Sequence, residues 1–429
     1  MSVIYKYLLL FLSIFFIFNG CSNNDNPVQP VNQTNLSIKT LSSSDSSLIQ
    51  SANVILFNAN NGEAISRVLS NQQGIASFPD IQAGNYFVKI SAQDFKEIPA
   101  QNLTPIPFSV LQDQSQNITY YLAPYAGNWG KIDGILNPAI SGVLVCAYNL
   151  ADNSVYQTYS GPDGYFVFFN LSYGGYKLSA LKASYSSDSI YSANISSSTS
   201  FKTINININE EMGSTLKGAV TFLAVTNGIV DISILDKQTM AAVNGLSTII
   251  DSARNYDIKY IPKGNYIAWA SYKNDGYVMD PDWIFKNPGA LEINFDSDSS
   301  YSLNFSVTNA IRLISPTNTP DTILPVLVDS LIPVFSWEPY PQAKEYIIEV
   351  KDLNGNIIWG GFDENGIVRH AKIAKETTSV KFNFDGTAKS ILKHGEVYQW
   401  KVYADDNALN NVQTLLSSSE DLMGLFKIK

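Results

Sequence analysis

A six-residue pattern, apolar-x-x-Gly-x-Tyr, occurs three times at one interval and constrains this chain more than any other feature. It reads Ile81-Gln82-Ala83-Gly84-Asn85-Tyr86, Leu171-Ser172-Tyr173-Gly174-Gly175-Tyr176 and Ile261-Pro262-Lys263-Gly264-Asn265-Tyr266. The glycine numbers give 174 − 84 = 90 and 264 − 174 = 90. An interval of that size matches one small β-sandwich and is too long for a solenoid repeat, which predicts three consecutive copies of one domain.

Locally the pattern describes a strand, a tight turn and a second strand. The apolar residue closes the first strand on the core side, and glycine supplies either a positive φ or room for a close neighbour. Tyrosine then opens a strand of period two. Val88 and Ile90 follow Tyr86 on its face, Leu178 and Ala180 follow Tyr176, and Ala268 and Ala270 follow Tyr266. That register assigns the three tyrosines to cores, where burying each contributes about 1.5–3 kcal/mol.

The 429 residues carry a net charge of −10 with only 15% charged side chains, and no cluster of Lys and Arg. Phosphate backbones need such clusters, so nucleic acid is excluded as a partner. Cysteine is limited to Cys21 and Cys146. Cys146 lies in the apolar run Val143 to Ala147 and is expected to be a buried, inert thiol.

Residues 1–20 pair Lys6 with an apolar run from Tyr7 to Phe18. As a helix that run spans roughly 18 Å, short of the ~30 Å hydrocarbon core, so it is expected to be a signal peptide. The segment ends Gly20-Cys21, which resembles the lipobox of bacterial lipoproteins. The resemblance implies cleavage before Cys21, lipidation of that residue and anchoring to a membrane, with the outer membrane as the expected site. Residues 21–35, polar and proline-containing, are expected to form a flexible tether.

Four domains are expected behind the tether, over 36–123, 127–210, 213–309 and 310–429. The first contains the strand Ala52 to Phe57, turns at Asn60-Asn61-Gly62 and Gln72-Gln73-Gly74, the repeated pattern, and a strand closing at Asp94-Phe95. This arrangement resembles the carboxypeptidase regulatory-like domain, a transthyretin-like sandwich of seven strands often met as a non-catalytic module. The second copy carries its turn as Gly161-Pro162-Asp163-Gly164. The third keeps the early strand Ile229 to Ile234 and the pattern but lacks an Asp-Gly turn before Asp257, and is the most divergent. The fold class expected is therefore all-β: tandem immunoglobulin-like or transthyretin-like β-sandwiches, arranged as beads on a string.

The last 120 residues differ. Trp337 lies in one strand, and Leu392-x-x-Gly395-x-x-Tyr398 leads into another with Tyr398, Trp400 and Val402 on one face. That spacing is similar to the fibronectin type III domain, which implies a core role for Trp337 and a corner role for Tyr398, its hydroxyl bonded back to the main chain.

Catalytic and metal-binding patterns are absent. The two histidines, His370 and His394, lie in expected loops, and no nucleophile elbow, zinc motif, calcium loop or phosphate loop occurs. No catalytic residue, metal or cofactor is expected. One ligand platform is conceivable in the third domain, where an aromatic insertion carries Tyr272, Tyr277 and Trp283. The expected function is a non-catalytic envelope lipoprotein acting as a scaffold or adhesion module, its partner an envelope protein or glycan. The alternative is a carbohydrate-binding accessory lipoprotein.

Overall fold

The computed structural model describes residues 34–99, 105, 107–127, 129–222, 228–272, 277–279, 290–318, 324–353, 355–363, 368–369, 372–406, 415–420 and 423–429. Cys21, tether residues 22–33, His370 and Trp283 lie outside them, and for Tyr272 and Tyr277 only the backbone is described; the last two residues assigned to the tether, Thr34 and Asn35, already belong to the first strand. Every named element is a strand, and the fold is an all-β series of sandwiches.

The first sandwich contains β1 (Thr34–Ser42), β2 (Asn53–Asn58), β3 (Ala64–Leu69), β4 (Ile75–Ile81), β5 (Gly84–Ser91), β6 (Phe108–Val110) and β7 (Gln116–Leu122). One sheet runs β4-β1-β7, with β1 and β7 parallel, and the facing sheet runs β3-β2-β5-β6. The strand expected to close at Asp94-Phe95 ends earlier, at Ser91, because Asp94 takes a positive φ and turns the chain.

The second comprises β8 (Gly130–Asn137), β9 (Leu144–Asn149), β10 (Val155–Tyr159), β11 (Tyr165–Leu171), β12 (Gly174–Lys182), β13 (Tyr185–Ser187), β14 (Tyr191–Ile195), β15 (Phe201–Thr203) and β16 (Ile206–Glu210). The third comprises β17 (Ser214–Phe222), β18 (Val230–Asp236), β19 (Ala242–Ile249), β20 (Asn255–Ile261), β21 (Gly264–Tyr272), β22 (Tyr277–Met279), β23 (Ala290–Phe295), β24 (Ser300–Ser302) and β25 (Phe305–Asn309). In each copy the first strand pairs antiparallel with the fourth and parallel with the last, and the second pairs with the third and fifth.

The repeated pattern acts as its spacing predicts. Tyr86, Tyr176 and Tyr266 are buried, as are the residues that follow on their faces. Tyr86 donates its hydroxyl to the Gln82 carbonyl at 2.9 Å and Tyr176 donates to that of Ser172 at 2.7 Å, closing the turn that precedes each ring. What crowds the glycine differs between copies: a Cβ on Gly264 would sit 3.1 Å from the Tyr266 ring and one on Gly174 2.7 Å from the Asn149 side-chain oxygen, whereas one on Gly84 would meet the Tyr86 ring at an ordinary 3.4 Å. The third copy also keeps the turn that its sequence hides. Arg254 adopts φ 66°, the conformation of Gly74 and Gly164 at the equivalent positions, and Asp251 accepts the backbone N–H groups of Ala253 and Asn255.

A second device makes the third copy a close counterpart of the second. The final strand is uninterrupted in the first sandwich but split into β15 and β16 in the second and β24 and β25 in the third. At each break an asparagine replaces a ladder bond: Asn205 accepts from the Ile135 N–H and Asn304 from that of Ala219. The first strand carries glycine there, Gly134 or Gly218, because a Cβ would lie 1.8 Å from the Ile204 carbonyl oxygen or 1.6 Å from that of Leu303.

The fourth sandwich contains β26 (Leu313–Ser315), β27 (Val326–Val328), β28 (Val334–Trp337), β29 (Glu345–Asp352), β30 (Ile357–Gly360), β31 (Ile373–Ala374), β32 (Ser379–Lys381), β33 (Val397–Asp405), β34 (Leu415–Ser418) and β35 (Leu425–Ile428). Sheet β26-β28-β32 faces sheet β27-β35-β33-β29-β30. Trp337, Trp359 and Trp400 fill the core between them. The Tyr398 hydroxyl accepts the Lys393 N–H at 3.0 Å, a bond back to the main chain.

Tandem order along the chain does not translate into separate beads in space. Val54 and Leu56 point into the first sandwich's own core, whereas Ile55 and Phe57 on the opposite face join a cluster that includes Leu144, Cys146 and Tyr159 and the whole core of the third sandwich. The physical reason is two-sided apolar strands: β2 and β9 are greasy on both faces, and an outer face of that kind must be covered.

Candidate functional site

The three repeated sandwiches meet along a seam of buried polar bonds centred on β19. Asn244, in the middle of that strand, is buried. Its Oδ1 accepts the Ala64 N–H at 2.9 Å and its Nδ2 donates to the Ala64 carbonyl at 2.7 Å, so its amide completes the β-ladder bonding of a residue 180 positions away in β3. The Asn244 carbonyl accepts the Ala183 N–H of the second sandwich at 3.0 Å. One residue therefore ties all three bodies.

Neighbouring groups extend the seam. Tyr159 reaches from β10 to donate its hydroxyl to the Ala242 carbonyl at 2.6 Å, a buried bond. Burial pushes that phenol well above its ordinary pKa, so it remains a donor. The Gly245 N–H is held by Glu63 at 3.0 Å, Asn61 donates to Ser247 at 2.9 Å, and Ser233 donates to the Asn61 carbonyl at 3.2 Å. Cys146 lies in the same region, its sulfur 4.0 Å from the Thr239 hydroxyl. Burial, then the nearby Asp236 carboxylate, raises the thiol well above its usual range, which keeps it protonated and unreactive.

A second contact joins the first and second sandwiches. Asn170 donates to the carbonyls of Ala92 at 2.8 Å and Phe95 at 2.7 Å and accepts the Asp94 N–H at 2.9 Å, gripping the turn after β5. Nearby, Arg67 is 6% exposed, donates from Nε to Asn53 at 2.5 Å, and lays its guanidinium 5.0 Å from the centre of the Tyr165 ring. Its Nη2 is buried without a hydrogen-bond partner among the described residues, and burial lowers its pKa. The crevice beside this contact, lined by Leu48, Phe95 and Phe169, encloses about 230 Å³.

The polar groups of the seam, amides and hydroxyls together with the Glu63 carboxylate, bond one sandwich to another. Among the described residues, no three His, Cys, Asp or Glu side chains gather to hold a metal ion, and no helix is long and apolar enough to cross a membrane. His394 is exposed and meets the Lys429 carbonyl. The lipidation site Cys21 and the Trp283 of the aromatic platform lie outside the described residues, and Tyr272 and Tyr277 are placed only at the end of β21 and the start of β22. Sequence patterns single out neither Asn244 nor Asn170, since a lone asparagine in a strand or before a turn carries no partner information. The one available signal is the unbroken apolar run in β2, which implies a covered outer face.

No protein-family model and no curated protein matches the chain. Similar solved structures include the Bacillus anthracis TIE protein, 15% identical over 65% of this chain with a TM-score of 0.18; the alignment spans 50% of that protein. BcpA, the major pilin subunit of Bacillus cereus, is 9% identical over 65% of this chain and 100% of its own, with a TM-score of 0.20. Klebsiella pneumoniae 5-hydroxyisourate hydrolase is 18% identical over 22% of this chain and 87% of its own, with a TM-score of 0.16. At such values the fold rests on the strands themselves.

Proposed function

We propose that this chain is a non-catalytic scaffold of the bacterial cell envelope, in which three locked sandwiches form one body and the fourth extends it. The observation that carries this reading is the double engagement of β19: Asn244 bonds Ala64 of the first sandwich while the carbonyls of Ala242 and Asn244 accept Tyr159 and Ala183 of the second. Buried polar bonds of this kind hold bodies at fixed angles, as a spacer or display platform needs. In this reading a lipid on Cys21 attaches the body to the membrane through the polar segment 22–33. The first three sandwiches are carboxypeptidase regulatory-like, and the fourth, with its Tyr398 corner, is fibronectin type III-like. An envelope protein or glycan is the partner.

Fractionation of wild type and Cys21→Ser, followed by small-angle scattering of the released variant, tests both halves. The variant is expected in the soluble fraction, scattering as a compact body. A variant retained by the membrane removes the anchor, and scattering from a flexible string removes the scaffold.

A further inference from the structure

The seam between the first and third sandwiches is built on two Asn-Gly steps, Asn61-Gly62 and Asn244-Gly245. Asn-Gly is the dipeptide most open to intramolecular attack, because no side chain on glycine shields the backbone nitrogen from the asparagine amide carbon. Both amides are engaged across the same boundary: Asn244 with Ala64, and Asn61 with Ser247 at 2.9 Å. The nitrogen that would attack in the second step, that of Gly245, is itself bonded to Glu63 at 3.0 Å. The closed seam thus restrains both reacting groups at Asn244-Gly245.

We propose that Asn244-Gly245 is a deamidation site which the closed seam protects and which, once converted, prevents the seam from closing again. In the opened seam the deprotonated Gly245 nitrogen attacks Asn244 Cγ. A C–N bond forms as the Cγ–Nδ2 bond breaks, and Nδ2 leaves as ammonia, giving a cyclic imide. Water then opens either imide carbonyl, yielding aspartate or isoaspartate, so the net change is water in and ammonia out with no oxidant or reductant. The product lacks the donor that meets the Ala64 carbonyl at 2.7 Å and sets a carboxylate oxygen against it. A buried charge facing an acceptor is not accommodated, and isoaspartate also lengthens the main chain of β19. The seam is a one-way latch, independent of where the chain resides.

The test uses the full chain. Wild type is held in mildly alkaline buffer, folded or in urea, and peptide mapping follows amide-to-acid conversion at Asn61 and Asn244. Because conversion passes through the opened seam, the folded rate at Asn244 is expected to be at least roughly tenfold below the rate in urea. Tyr159→Phe, which weakens the opposite side of β19, should raise it. Equal rates folded and in urea would overturn the protection. Asn244→Asp tests the latch by hydrogen exchange: the Ala64 amide should lose protection while Val88, deep in the first sandwich, keeps it. Unchanged protection at Ala64 overturns the latch. Should that variant not fold, Asn244→Ala, which removes the same donor without adding a charge, gives the same comparison of Ala64 with Val88.

Discussion

At the level of single residues, backbone strain recurs with the interval of the repeat. Asp80, Asn170 and Tyr260 each take a positive φ, at 60°, 54° and 64°, where the fourth strand of each copy bulges before its last residue. Asparagine and aspartate tolerate that conformation; an ordinary side chain costs about 1–2 kcal/mol there. Tyr260 is half exposed, and the bond it makes to Ser184 uses only its carbonyl. Tyr260→Asn is therefore expected to stabilise the chain by about 1 kcal/mol, read as a higher denaturant midpoint at unchanged slope. A buried and a half-buried phenol set a pH limit. Burial holds Tyr176 at about 12, and burial with the Asp133 carboxylate does the same for Tyr165, against an ordinary value of 10.0. The folded state prefers the neutral phenol, so these groups contribute their full stability below pH 10 and lose it as pH rises toward 12. A urea midpoint that is flat to pH 10 and then falls, together with delayed phenolate absorbance, is the expected result; a midpoint unaffected across that window contradicts it.

At the level of strands, the split last strand offers a sharp comparison. A Cβ at Gly218 would lie 1.6 Å from the Leu303 carbonyl oxygen, with nowhere to go but into the β17–β25 pairing. At Gly355, φ is 79° and nothing stands within 4 Å of an added Cβ. Gly218→Ala is expected to cost about 3 kcal/mol, whereas Gly355→Ala costs about 1 kcal/mol from backbone conformation alone. Thermal unfolding of the two variants ranks them, and an equal shift in both would show that β17 can move aside. Such strands were partly legible in the chain. The turn-and-tyrosine pattern located β4, β5 and their counterparts because it depends on neighbours in sequence, a ring over a glycine and a hydroxyl over four residues. The third copy looks divergent because Arg254 stands where the turn usually has glycine, although Asp251 caps the turn as Asn71 does in the first copy. The breaks at Asn205 and Asn304 escaped notice because asparagine accepting a strand amide leaves no periodic trace.

At the level of the molecule, alternation within one strand identifies which side is apolar but not what covers a second apolar side. The run Val54-Ile55-Leu56-Phe57 carries apolar residues on both faces, while the identity of the cover, β19 and β10, depends on contacts 100 to 190 residues apart that no local pattern encodes. The consequence is cooperative. Ile55, Phe57, Leu144 and Cys146 are inaccessible only while three sandwiches stay together, and covering each large apolar side chain is worth about 1.5–3 kcal/mol. Separating the first sandwich from the others forfeits that burial together with the Asn244 and Asn170 bonds, a loss comparable with the 5–15 kcal/mol that stabilises a typical domain. Calorimetry of the chain is thus expected to show the three repeated sandwiches melting in one transition. The isolated first sandwich should melt at lower temperature and self-associate through its uncovered Ile55 and Phe57. Charge placed on that face, as in Phe57→Lys in the isolated sandwich, should suppress association without lowering its melting temperature, since Phe57 lies outside that sandwich's own core. Three separate transitions in the intact chain, or an isolated first sandwich as stable and monomeric as the whole, would show that the shared cluster contributes nothing to holding the body together.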